Sequence, residues 1–134
     1  MLKKMVLFVT TLVLAVSLFS FPVSADENAV TFLYTRSCSS SLSISSLSAT
    51  CTSSLKGYRG TTTKIEVSQT LQVKNGAQWR KCEGWDNTYN YYTCNFVNTR
   101  AVYSGNQYRV KSEFKVYSGS NYETITKYSD PVST

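Results

Sequence analysis

The chain has 134 residues, with 14 Lys and Arg against 8 Asp and Glu, and no histidine. That length holds one domain with a modest core, and without histidine the Ser-His-Asp and Cys-His catalytic arrangements are excluded. A net charge of +6 favours anionic partners, but the charges are spread instead of clustered, as on an ordinary solvated surface, and no nucleic-acid partner is expected.

Residues 1–25 have the three-part layout of a secretory signal. Lys3 and Lys4 make a basic start, Val6 to Phe21 is apolar apart from small hydroxyl residues, and Val23 and Ala25 sit at the small-residue positions before the cut. The apolar run is shorter than the ~20 residues a membrane span needs, and Asp26 and Glu27 follow it instead of a basic flank. The expectation is cleavage after Ala25. This would leave residues 26–134 as one secreted, extracellular domain with a charge of +4 and no membrane span.

Thr, Val, Tyr, Phe and Ser dominate what remains, the composition of strands and turns. Weaker strand patterns fall at Ala29–Thr35, Ser41–Ser45 and Leu47–Ser53. Ten serines crowd residues 37–54, but the interspersed Leu42, Ile44, Leu47, Ala49 and Cys51 favour ordered strands over a linker. The spacing slips by one between Ile44 and Leu47, which predicts a bulge or a tight turn at Ser45-Ser46. In Lys64–Lys74, Ile65, Val67, Leu71 and Val73 share one face, opposite Lys64, Glu66, Ser68, Thr70, Gln72 and Lys74. Asn75-Gly76 then predicts a hairpin into Trp79-Arg80-Lys81-Cys82. A weaker strand is expected over Tyr89–Thr99. Tyr108–Val116 alternates cleanly, with Tyr108, Val110, Phe114 and Val116 against Arg109, Lys111, Glu113 and Lys115. Ser118-Gly119-Ser120-Asn121 separates it from a last strand at Tyr122–Tyr128. About seven short strands with one wet face each predict an all-β fold, a two-sheet antiparallel sandwich.

The segment Tyr108-Arg109-Val110, Phe114-x-Val116, Gly119, Glu123-Thr124 and Ser129 resembles the last two strands of a fibronectin type III or immunoglobulin-like sandwich. With Gly60-Thr61, Ile65-x-Val67, Leu71-Gln72, Asn75-Gly76 and Trp79, the pattern also resembles small secreted Gram-positive bacterial proteins of unknown function. The resemblance implies a fold and a compartment, and no activity. No cysteine falls on the 108–116 strand, so the usual inter-sheet disulfide of antibody domains is not expected.

Cys38, Cys51, Cys82 and Cys94 are an even set in a short secreted chain, which reads as two disulfides. Cys38–Cys51 and Cys82–Cys94 keep both loops short. Zinc is disfavoured by the absent histidine and of Cys pairs two residues apart, and no other metal or cofactor motif occurs. Glu83 and Asp86 flank Trp85 and are the one carboxylate pair that could serve glycoside hydrolysis; a polar loop is the simpler reading, and no enzyme activity is expected. Trp79, Trp85, Tyr89, Tyr91 and Tyr92 crowd with Asp86, Asn87 and Asn90 into a short stretch. Flat rings beside amide and carboxylate groups suit a sugar- or protein-binding face, with Trp85 in a turn after Gly84 and Trp79 opening a strand. The function expected is a secreted, non-enzymatic binding or cell-surface interaction module, its partner an anionic cell-wall polymer, a glycan or a surface protein. The alternative is a small secreted antagonist or toxin-like protein acting on neighbouring cells.

Overall fold

The structure, a computed structural model, describes residues 31–134; the expected signal segment and Ala29-Val30 lie outside the described residues. Every regular element described is a strand: β1 (Thr35–Ser45), β2 (Ser48–Gly57), β3 (Lys64–Asn75), β4 (Gln78–Tyr89), β5 (Thr93–Ala101), β6 (Gln107–Ser118), β7 (Asn121–Tyr128) and the short β8 (Val132–Ser133). They form two antiparallel sheets. One has the order β1-β2-β5 and the other β4-β3-β6-β7, with β8 also on β6. In the lettering of immunoglobulin-type sandwiches this is A-B-E facing C′-C-F-G.

The alternation read in the sequence is carried through. Ile65, Val67, Leu71, Tyr108, Val110, Phe114 and Val116 are all buried, which places the inner faces of β3 and β6 at the centre of the molecule. Tyr108, near the start of β6, accepts at its hydroxyl from the Tyr103 amide at 3.0 Å and lies 3.3 Å from the Tyr103 carbonyl. This is the tyrosine corner that closes the E–F connection in such sandwiches.

Turn chemistry explains the hairpins. Between β1 and β2 the loop residues are Ser46 and Leu47, both at positive φ, so the turn is of the primed type that matches strand twist. It accounts for the slip in spacing between Ile44 and Leu47. Before it, the odd-numbered serines from Ser37 to Ser45 face outward and are exposed, while Cys38, Ser40, Leu42 and Ile44 are more protected. The β3–β4 hairpin closes on Gly76-Ala77, because Asn75 pairs with Gln78. Strand limits differ from expectation in three places. β4 runs on through Glu83–Asp86, where a polar loop was expected. The first strand begins at Thr35, and the segment expected as one strand at Tyr89–Thr99 is divided by a turn, with β4 ending at Tyr89 and β5 beginning at Thr93.

The core has two apolar lobes. Leu55, Ile65, Val67, Cys94, Phe114, Val116 and Ile125 form one; Ala49, Cys51, Leu71, Val102, Tyr108 and Val110 form the other. A polar seam separates them. Gln69 on β3 donates to Ser53 Oγ on β2 at 2.8 Å and to the Phe96 carbonyl at 3.1 Å. Its Oε1 accepts from Asn98 on β5 at 2.9 Å. Ser53 and Ser112 hydroxyls meet at 2.6 Å, and Ser112 donates to Ser40 on β1 at 2.7 Å. Gln69, Ser53 and Ser112 are wholly buried, so each polar group depends on the others for its partners.

The four cysteines are free thiols, in contrast to the expected bridges. In the β1–β2 register Cys38 faces Leu55 and Cys51 faces Leu42. The two are four positions apart along the pair, about 13 Å at strand rise, far beyond the ~7 Å Cα span of a disulfide. Cys94 faces Leu55 from the other side, so Leu55 stands between it and Cys38. Cys82 packs against the lobe of Cys51 and not that of Cys94. The thiols act as small apolar side chains, and burial pushes Cys51 and Cys94 up to about 11.

Two predictions follow from these contacts. Gln69→Ala removes partners from Ser53, Asn98 and the Phe96 carbonyl and opens a cavity, and should cost about 2–4 kcal/mol in urea unfolding. A Gln72→Ala change on the outer face should stay within about 1 kcal/mol. For the thiols, the unfolded chain ionises Cys51 and Cys94 near pH ~8.5 while the folded chain holds both protons until about pH 11. Between these values the unfolded state binds fewer protons, so stability falls as pH rises, by about 1.4 kcal/mol per pH unit per thiol. Unfolding curves across this window should be measurably flatter with pH for Cys51→Ala and Cys94→Ala.

Candidate functional site

The outer face of the β4-β3-β6-β7 sheet carries a groove of about 810 Å³. Right-handed twist accumulates across neighbouring strands and makes such a face a saddle. The register builds its lining. Asp86, Ser68, Glu113 and Thr126 stand side by side in one cross-strand row, and Thr88, Glu66, Lys115 and Thr124 in the next. Eight outward side chains from four strands therefore make a two-by-four grid of carboxylates, hydroxyls and one ammonium, and all eight line the groove.

Local bonds position several of them. Ser68 donates to Asp86 at 2.6 Å. Lys64 lies 3.5 Å from Glu66, and Lys111 lies 2.9 Å from Glu113; the bond to Glu113 raises the Lys111 pKa. Such exposed pairs contribute little to stability.

Aromatic rings with cations over them stand at both ends. At one, Lys115 lies 4.1 Å from the Tyr122 ring centre and Lys64 lies 4.1 Å from that of Tyr117, with the two rings 5.5 Å apart. At the other, Arg109 is held between Trp79 at 4.4 Å and Tyr128 at 4.3 Å, and donates to Gln72 at 2.8 Å. Contacts of this kind contribute about 0.5–1 kcal/mol at exposed sites.

The five aromatics singled out by sequence do not make one face. Trp79 belongs to the outer face, in the Arg109 stack. Trp85 sits in mid-β4 opposite Gln69, not in a turn, and packs against the Leu71 lobe. Tyr89 packs against the other lobe, edge-on to Phe96 at 6.5 Å. Tyr91 and Tyr92 lie at the β4–β5 turn, 4.6 Å apart. Trp79 and Trp85 are six residues apart, so alternation alone would put them on one face; a bulge at Cys82, left over between the pairs Glu83–Leu71 and Lys81–Gln72, sends them to opposite faces. Beyond the bulge, alternation separates residues an odd number of positions apart. The carboxylates beside Trp85 separate likewise. Glu83, opposite buried Leu71, lies 3.4 Å from Arg100, whereas Asp86 stands on the outer face beside Ser68.

Sequence reading assigned Glu66, Ser68, Glu113 and Lys115 to wet strand faces without joining them. Their periodicity was legible, as was the β3–β4 hairpin; the adjacency of β3 with β6 was not. Among the described residues no group of three or more Cys, Asp and Glu is placed to hold a metal ion, and no helix is long and apolar enough to cross a membrane.

No protein family matches the chain, and no curated protein is similar to it in sequence. Among solved structures, the solution structure of CsgH from R. palustris is similar, with 13% identity and a TM-score of 0.43 over 68% of this chain and 87% of that one. A likeness that distant leaves function to be argued from the site.

The placement of the aromatics separates their roles on substitution. Trp85→Ala should cost about 2 kcal/mol or more, because it empties a position against the Leu71 lobe. Tyr91→Ala, at a ring that is 54% exposed, should change stability by less than about 0.5 kcal/mol. Thermal melts of the two variants check this.

Proposed function

We propose that the chain is a secreted, non-enzymatic binding module that lays a hydroxyl-rich ligand, a glycan strand, across the outer face of the five-stranded sheet. The observation that carries this reading is the two-by-four grid. Asp86, Glu66 and Glu113 accept hydrogen bonds, Lys115 donates them, and Ser68, Thr88, Thr124 and Thr126 do both, an inventory that matches the alternating donors and acceptors of sugar hydroxyls. The groove volume falls in the ~300–1,000 Å³ range of ligand sites. Tyr117, Tyr122 and Tyr128 add flat apolar area at its ends. Binding is favoured over turnover because each groove carboxylate is already engaged, Glu66 by Lys64, Glu113 by Lys111 and Asp86 by Ser68, and none is buried as a raised-pKa general acid would be. Secretion is supported by the layout of residues 1–25.

The reading is tested by sedimentation of purified protein with cell-wall glycans and by titration with soluble fragments. Wild type should be retained, and Asp86→Ala with Lys115→Ala should weaken retention roughly tenfold or more without lowering the melting temperature. Equal retention of the wild type and the double variant would overturn it.

A further inference from the structure

The loop end of the sandwich lies beyond the Lys64–Tyr117 end of the groove and carries a different chemistry. Tyr58-Arg59-Gly60-Thr61 forms a tight turn in which the amides of Thr61 and Thr62 donate to the Tyr58 carbonyl at 3.0 and 2.9 Å. Gly60 has φ +82, a conformation glycine adopts without strain. The neighbouring turn contributes Tyr91 and Tyr92.

The two turns are locked together. The Gly57 amide donates to the Tyr92 carbonyl at 2.6 Å. Thr62 Oγ1 accepts from the Tyr58 amide at 3.0 Å and donates to the Tyr34 carbonyl at 2.5 Å. A Cβ at Gly57 would meet Thr62 side-chain atoms at 2.4–2.7 Å, so only glycine permits this closure. The rings and the guanidinium are thus presented by a fixed backbone, which lowers the ordering cost of binding.

On that frame Arg59 lies 5.5 Å from the Tyr92 ring centre, with the Tyr91 ring tilted at 47° against that of Tyr92. Tyr58 and Tyr91 are 43% and 54% exposed. Neither turn contains a carboxylate, and among the described residues no acid pairs with Arg59. Exposed Lys56 lies opposite Thr93, next in the chain to Tyr92. Tyr and Arg are the residues enriched at binding hot spots.

We propose that this loop end is a second binding surface, which takes the phosphate groups of a polyol-phosphate polymer in the fork of Arg59. The guanidinium matches phosphate oxygens in bidentate fashion. Tyr91, Tyr92 and Lys56 add further hydrogen-bond donors to this end of the sandwich, in turns without a carboxylate. Two cations are too few for the run of phosphate contacts that duplex binding uses. The field of Arg59 already acts on its neighbour: hydrogen bonding to the guanidinium holds the Tyr92 phenol below its ordinary pKa.

Poly(glycerol phosphate) immobilised on a sensor is the probe, read against a single-stranded oligonucleotide of equal phosphate count and against polygalacturonate. Wild type should bind the phosphate polymer best, and added salt should weaken binding. Arg59→Ala should reduce it roughly tenfold or more, Arg59→Lys should restore only part, and the melting temperature of both should be unchanged. Bound polymer should also raise the pH at which the Tyr92 phenol ionises. The Asp86→Ala, Lys115→Ala variant should bind the polymer like wild type, so failure of the groove and failure of this surface are distinguishable. Equal binding by wild type and Arg59→Ala, or preference for the oligonucleotide or polygalacturonate, would overturn the proposal.

Discussion

The hydrogen-bonded seam from Asn98 through Gln69, Ser53 and Ser112 to Ser40 constrains the rest of the molecule. It joins β5, β3, β2, β6 and β1 in the middle of the sandwich, where water does not compete. Apolar alternation forbids a one-residue slip of any strand, because the slip would turn its buried side chains outward. It does not forbid a slip of two, which preserves the alternation. The seam does, because a two-residue slip of β3 would carry Gln69 away from Ser53 and Asn98. Each buried polar group left without a partner costs about 1–3 kcal/mol. The seam thus selects one register among those the apolar pattern tolerates.

The outer face inherits that choice through β3 and β6. The grid of Asp86, Ser68, Glu113 and Thr126 beside Thr88, Glu66, Lys115 and Thr124 exists because β4, β3, β6 and β7 are held in one register. The same holds for the Arg109 stack, whose rings come from β4 and β7 and whose cation comes from β6. At the loop end the determinant is different. There, Gly57 and Thr62 bring two turns into contact, and the presentation of Arg59 depends on a close backbone approach.

The cysteines show how a sound compositional argument can miss. Four cysteines in a short chain with a signal-like start suggest bridges, and loop length selects a pairing. The β1–β2 hairpin then puts Cys38 and Cys51 four positions out of step, and Leu55 stands between Cys38 and Cys94. The lobes use the thiols as they use alanine or valine. The sandwich is held instead by apolar burial and by the seam.

Much of the fold was legible in the residues. Alternation in β3 and β6, the hairpins at Gly76 and Gly119 and the tight turn after Ser45 all depend on local geometry, which a sequence states directly. Gln69 and Ser112 occupy inward positions of those same strands, yet as polar residues they gave no apolar signal, so the seam was not legible. The aromatic stretch from Trp79 to Tyr92 was visible as composition, but it crosses one strand and a turn, and the bulge at Cys82 together with that turn divided it among two core lobes, an outer face and a loop end. The sequence by itself determined which residues form strands and which face of the best ones is wet, because those properties follow from neighbours one or two residues away. Tertiary structure alone decided which wet faces adjoin, which thiols approach and which rings share a surface, because those depend on hydrogen-bonded register between segments tens of residues apart.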